Sequence, residues 1–121
     1  MRYAILLEDA DGVSYFENRE IDFELKTFAP PAAPFLVSKE VDAARIAFLS
    51  LPAGWKGVQH RSPKPQLATV LSGTFRVQAG SGEIRDFKTG DLFWAEDVTG
   101  TGHSSSAEGG EPANLMITQF Q

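Results

Sequence analysis

The sequence predicts an all-β domain, a sandwich or barrel assembled from many short strands. Gly-centred turns recur at spacings of about eight to twelve residues, at Ser72-Gly73, Gly80-Ser81-Gly82, Thr89-Gly90-Asp91, Thr99-Gly100-Thr101-Gly102 and Glu108-Gly109-Gly110. The stretches between them are short and rich in β-branched and aromatic residues, several of them alternating apolar with polar. Hardly any segment carries the spacing of an amphipathic helix.

The elements follow in order. Met1 to Glu20 holds two short apolar runs around an Asp11-Gly12 turn. In Ile21 to Phe28, Ile21, Phe23, Leu25 and Thr27 fall on one side and Asp22, Glu24 and Lys26 on the other, which is the period of a half-buried strand. Ala29-Pro30-Pro31-Ala32-Ala33-Pro34 interrupts it, because proline cannot donate to a ladder, and reads as an extended crossing or edge segment. Ala43 to Leu51 is a strand ended by Pro52-Ala53-Gly54; its alanines suit a helix, but its β-branched and aromatic residues favour strand. Gln66 to Leu71 and Thr74 to Ala79 form a hairpin, followed by strands over Glu83 to Phe87 and Leu92 to Glu96. Ser104 to Ala107 pairs briefly, and Asn114 to Phe120 is the last strand.

With 121 residues, no internal repeat and no long linker, one domain is expected over 1–121, with N-terminal strands and a crossing segment in 1–42 and the main body in 43–121. The net charge of −5 and the scattered Lys and Arg argue against a nucleic-acid surface. The absence of cysteine removes disulfides, thiolate nucleophiles and sulfur-bound zinc. No run reaches the length of a bilayer span, and Met1 to Leu7 lacks the long apolar core of a signal peptide, so no membrane partner and a cytoplasmic location are expected. No phosphate loop or nucleophile elbow is present.

The middle of the chain resembles the cupin family. In that family's first motif, G-x5-H-x-H-x3,4-E-x6-G, Gly54 is followed at the right intervals by His60, then Ser62 at the second histidine place, Gln66 at the glutamate place and Gly73 at the end. In the second, G-x5-P-x-G-x2-H-x3-N, Gly90 opens, Glu96 and Val98 replace the proline and glycine, His103 arrives two residues late, and Ala107 takes the asparagine place. The resemblance covers Gly54 to about Ala107. It implies a double-stranded β-helix or jelly-roll barrel (all-β) of the small RmlC-like kind, with a polar pocket at one mouth.

It also implies that His60 and His103, the only histidines, converge at that mouth with Gln66 beside them. As metal ligands His60, Gln66 and His103 would hold a divalent ion such as Fe, Mn, Ni or Zn, but the set lacks the carboxylate that offsets the ion's charge. Glu96 or Asp97 turned inward would supply it, or water or substrate would fill the open positions. The other reading is a metal-free polar pocket in which the two imidazoles bind a ligand or transfer a proton. The expected pocket comprises His60, Ser62, Gln66, Trp94, Glu96, Asp97 and His103, with His60 and His103 as the catalytic candidates. Arg61 and Lys64 near its rim read first as ordinary solvated loop charges and second as cations suited to an anion, and Glu96 or Asp97 beside His103 would orient the ring. Trp94 reads equally as core or pocket wall, and Trp55 as partly exposed.

Two functions suit these residues best. One is a cupin-type isomerase, lyase or dioxygenase acting on a small anionic metabolite; the other is a non-catalytic metabolite-binding or sensing module. Open sheet edges and the apolar side of Ile21, Phe23 and Leu25 predict a homodimer.

Overall fold

The computed structural model describes all 121 residues and contains only strands, turns and loops. The strands are β1 (Arg2–Glu8), β2 (Ser14–Glu20), β3 (Phe23–Lys26), β4 (Phe35–Ser38), β5 (Arg45–Leu51), β6 (Gln66–Ser72), β7 (Thr74–Gln78), β8 (Ile84–Phe87), β9 (Leu92–Ala95), β10 (Ser104–Glu108) and β11 (Ala113–Gln119). The expected strands are present within a residue or two, and the structure adds β4, Phe-Leu-Val-Ser directly after Pro34, which is too short to show a period and pairs antiparallel with β3. The expected hairpin of Gln66–Leu71 with Thr74–Ala79 is not formed: the chain turns at Gly73 from one sheet into the other, so β6 and β7 pair with different strands. No helix is long and apolar enough to cross a membrane.

Six strands form one sheet in the order β2-β1-β9-β6-β11-β5, and three form a second in the order β10-β7-β8. The β1–β9 pair is parallel and the other pairs in both sheets are antiparallel. Strand alternation puts Leu6, Phe93, Ala95, Val70, Leu115 and Ile117 of the large sheet against Phe75, Val77, Phe87 and Ala107 of the small one, and all are buried in one cluster. Phe93 sits at its centre, 5.2 Å from the Phe87 ring, 6.1 Å from Phe16 and 6.2 Å from Phe75. The two sheets face each other as a jelly roll without closing into a continuous barrel, and aromatic side chains fill the space between them.

A further stretch adds to the small sheet without being regular enough to count as a strand. Trp55 to His60 runs antiparallel to β10. The Gly57 amide donates to the Ser105 carbonyl and the Ala107 amide to the Trp55 carbonyl, both at 2.9 Å, and His60 and His103 exchange both backbone bonds at 2.9 Å. Gly57 and the prolines on either side of this stretch keep it from alternating, which is why it does not read as a strand in the sequence.

Candidate functional site

The backbone bridge between His60 and His103 sets the site. Directly opposed residues of an antiparallel pair project their side chains to the same side, and the two imidazole centroids lie 5.2 Å apart, tilted by 47°. His103 is 6% exposed and rests edge-on against Phe93, with the centroids 6.0 Å apart. His60 lies on the open side.

Asp97 is fully buried and holds the site from beneath. Its chain position continues the alternation of β9, in which Phe93 and Ala95 point into the core and Leu92, Trp94 and Glu96 point away. One carboxylate oxygen of Asp97 accepts from His103 Nδ1 at 2.5 Å and the other accepts from the buried Ser62 hydroxyl at 2.8 Å. The Ser62 amide also donates to the Asp97 carbonyl. Because a carboxylate accepts only, the His103 proton that it faces is on Nδ1. His60 Nδ1 likewise faces the Val58 carbonyl at 2.9 Å and donates to it. Both rings therefore have Nδ1 committed to the protein and Nε2 without a protein partner. No buried side-chain nitrogen or oxygen is left unpaired, so Nε2 of His103 opens to solvent despite the burial of the rest of the ring.

The loop that carries His103 is fastened from the first hairpin. Glu8 Oε1 accepts the Thr99 and Gly100 amides at 2.9 and 2.7 Å, and Oε2 accepts the Thr99 hydroxyl at 2.6 Å. Ser14, fully buried, donates to the Gly102 carbonyl at 2.7 Å and accepts the Gly80 amide at 2.7 Å. The Thr101 amide donates to the Gly12 carbonyl at 3.0 Å. Arg61 Nη1 donates to the Thr99 carbonyl at 3.2 Å. Glu8 and Ser14 carry no signal of this role in the sequence, because they lie some ninety residues from the loop and nothing local distinguishes a carboxylate that caps a distant turn from a solvated one.

Burial pushes the Glu8 carboxyl up, but the Thr99 hydroxyl, the Gly100 and Thr99 amides and the Arg61 charge outweigh it and leave it below its ordinary 4.5. The unfolded chain thus binds this proton more readily than the folded one. The stabilisation is complete above about pH 4.5 and is lost as pH falls through the lower folded value. Glu8→Ala is expected to cost about 2 kcal/mol at neutral pH and to flatten the fall in stability on acidification below that point. Urea titrations of both proteins across acidic pH measure this, and identical acid profiles would remove Glu8 from the account.

The remaining residues expected at the mouth are placed as follows. Gln66 sits half-buried at the inner end of β6, its amide oxygen accepting from Gln119 Nε2 at 3.1 Å, and it makes no hydrogen bond to either imidazole. Trp94 and Glu96 lie on the outer face of the large sheet, bonded to each other from indole Nε1 to carboxylate at 2.7 Å, and Trp94 stacks on Phe120 at 4.5 Å. Trp55 is partly buried and packs against the core. The structure thus gathers His60, His103, Asp97 and Ser62 and puts Trp94 and Glu96 on the opposite face of the sheet, while Gln66, on the same face of β6 as buried Ala68, bonds to Gln119 rather than to either imidazole. Asp97 is inside and Glu96 outside because adjacent strand residues face opposite ways.

A metal finds a poor donor set here. His60, His103 and Asp97, though neighbours, do not converge as three ligands of one ion: both Asp97 oxygens are committed to Ser62 and His103, and the two free imidazole nitrogens bring no negative charge. These residues do not fit a tightly held divalent ion.

No protein-family model and no curated protein matches the sequence. Similarity appears among solved structures. The Schizosaccharomyces pombe Cnp3 cupin domain aligns over 98% of this chain and 88% of its own, with a TM-score of 0.53 and 15% identity. Drosophila melanogaster CENP-C bound to CAL1 aligns over 83% and 75%, with a TM-score of 0.52 and 17% identity. A putative ethanolamine utilization protein from Salmonella typhimurium aligns over 99% and 95%, with a TM-score of 0.50 and 13% identity. At these identities the likeness is one of architecture, and it agrees with the two-sheet topology above: the chain has the cupin fold.

Proposed function

We propose that the mouth framed by Gln59 to Ser62 and Asp97 to Ser104 binds a small polar, anionic molecule, and that His103 transfers a proton to or from it without a metal. The observation behind this reading is the pair of imidazoles at 5.2 Å whose Nδ1 atoms are both tied down and whose Nε2 atoms both lack a protein partner. A ring held by a buried carboxylate presents its second nitrogen in one orientation, as a general base or acid requires. Asp97 is then a positioning residue, Ser62 holds Asp97, and His60 grips the ligand from the open side. Arg61 and the exposed Lys64 bring positive charge to the rim.

A non-catalytic binding module is the second reading. It is favoured by the filled interior: the Phe93 ring occupies the space beneath His103, so a ligand rests on the mouth rather than inside an enclosed cavity. A CENP-C structure of the same fold is bound to a protein partner, which shows that the architecture is not confined to small-molecule work.

A thermal-shift screen of small hydroxy- and keto-carboxylates, sugars and nucleotides tests binding, since a ligand of the folded state raises its melting temperature. At least one carboxylate is expected to raise it in the wild type and to lose that effect in both His60→Ala and His103→Ala. Proton–deuterium exchange into that ligand in D2O then separates the readings. Exchange that His103→Ala abolishes supports the catalyst, and binding without exchange supports the module. If no compound perturbs the imidazole NMR signals, neither reading survives.

A further inference from the structure

The outer face of the large sheet, turned away from the imidazole mouth, carries a groove of about 640 Å3, a volume within the range of small-molecule sites. Its floor is aromatic. Strand alternation turns Ala4, Phe93 and Ile117 into the core and leaves Tyr3, Trp94 and Phe120 on the outside, where all three line the groove with Leu67. Tyr3 lies 5.8 Å from the Trp94 ring, and Phe120 stacks on that ring at 4.5 Å. The bond from the indole N–H to Glu96 fixes the orientation of Trp94. The three rings are only half-buried, so part of each π surface stays open.

The walls are two backbone segments, Glu20 to Asp22 and Ser38 to Ala43, and both are fastened to the sheet. The Ile21 amide donates to the Met1 carbonyl and the Ala44 amide to the Gln119 carbonyl, each at 2.8 Å. Their charge is mostly negative. Glu20 pairs with Arg2 at 2.8 Å, whereas Asp22, Glu40 and Asp42 have no cation within ion-pair distance. Lys39 is the one basic residue of the lining.

We propose that this groove binds a small organic cation, an alkylated ammonium whose head rests on the Trp94 and Tyr3 rings beside the carboxylates of Asp22, Glu40 and Asp42. Aromatic faces carry negative π density that attracts a cation within about 6 Å of the ring centre, indole most strongly. Exposed carboxylates alone contribute little, since water and salt screen them; here the rings supply the contact and the walls select the sign of charge. An anion would meet three unpaired carboxylates. A neutral apolar molecule would gain the floor and nothing from the walls. A bare metal ion would not use the rings, and the acids do not converge as its ligands. An ammonium ion bearing methyl groups uses both surfaces at once. Trp94 and Glu96, which the mouth does not use, thus belong to a second site of opposite charge preference, independent of what the mouth binds.

Heteronuclear NMR of the full chain titrated with choline tests it. The Trp94 indole N–H signal is expected to shift and saturate with a dissociation constant below about 5 mM, while the Trp55 indole and both imidazoles stay in place. The neutral alcohol in which carbon replaces the quaternary nitrogen of choline is expected to bind at least about tenfold more weakly. Trp94→Leu, read from the backbone amides of Val41 to Ala43, is expected to weaken choline by about tenfold as well. The double variant Glu40→Gln with Asp42→Asn changes only exposed side chains outside the core, so it keeps the fold and is expected to weaken choline about threefold. A Trp94 signal that does not move up to about 50 mM choline, including in a groove covered by another copy of the chain, overturns the proposal. So does a neutral isostere that binds as tightly as choline, or a double variant with wild-type affinity.

Discussion

Asp97→Ala is expected to destabilise the domain by about 3–5 kcal/mol, the cost of removing one partner from a buried hydrogen-bonded pair. The reason is the number of groups that depend on one carboxylate. The Ser62 hydroxyl and the His103 Nδ1 proton both lose their acceptor, and neither can turn to water, since Ser62 is 1% and His103 6% exposed. Against the 5–15 kcal/mol of a typical domain (~10 at the centre of that range) the loss is large, and the thermal midpoint should fall by more than about 10 °C. Asp97→Asn keeps an acceptor for His103 and a side chain of the same shape, so a milder loss of about 1–2 kcal/mol is expected. Urea denaturation of the three proteins measures both. An alanine variant within about 1 kcal/mol of the wild type would mean that the network contributes little, and the geometric case for a held imidazole would weaken with it.

The second large effect belongs to Gly102→Ala. Gly102 has φ of +82°, where a side chain is strained, and a Cβ there would overlap the His60 carbonyl and the Arg61 amide. These are backbone atoms of the segment that exchanges two hydrogen bonds with His103, so relief requires the His60–His103 bridge to open. A loss of at least about 3 kcal/mol is expected, from strain together with broken bridge bonds. Gly110→Ala is the control. Its φ is +76° but a Cβ meets nothing within 4 Å, so only the conformational cost of about 1–2 kcal/mol remains. The difference between the two variants isolates the close approach. If they cost the same, the tight packing of the two histidine segments is not what positions the rings. NMR of the imidazole protons in Gly102→Ala should show His60 and His103 no longer in mutual contact.

The residues that were legible in advance and those that were not differ in a definite way. Alternation and turn glycines are local properties, so β5 to β9 and β11 could be read directly, as could the apolar side of Phe23 and Leu25. The intervals from Gly54 to His60 and on to Gly73 carry the resemblance to the cupin motif, and it was that resemblance that implied a jelly roll rather than another sandwich or barrel. Parity along β9 also bears on the site: once Phe93 is assigned to the core, Asp97 follows inward and Trp94 and Glu96 outward. Residue chemistry along the loop groups all three, and parity separates them. Gln66 was grouped with the imidazoles by a motif interval, but its partner is Gln119, from a strand that is its neighbour only in the folded sheet.

The chain by itself determined that this is an all-β fold of short strands, because period and turn chemistry are written residue by residue, whereas the return of its two histidines to one region was implied only by the resemblance to the cupin motifs. Only the tertiary structure decided that Asp97 and Ser62 stand behind His103, that Glu8 and Ser14 fasten its loop, and that Tyr3, Trp94 and Phe120 floor a groove on the outer face of the large sheet. Those facts arise from pairings between residues up to about ninety positions apart. Such pairings are selected by the burial of the whole core, so no local stretch of sequence records them.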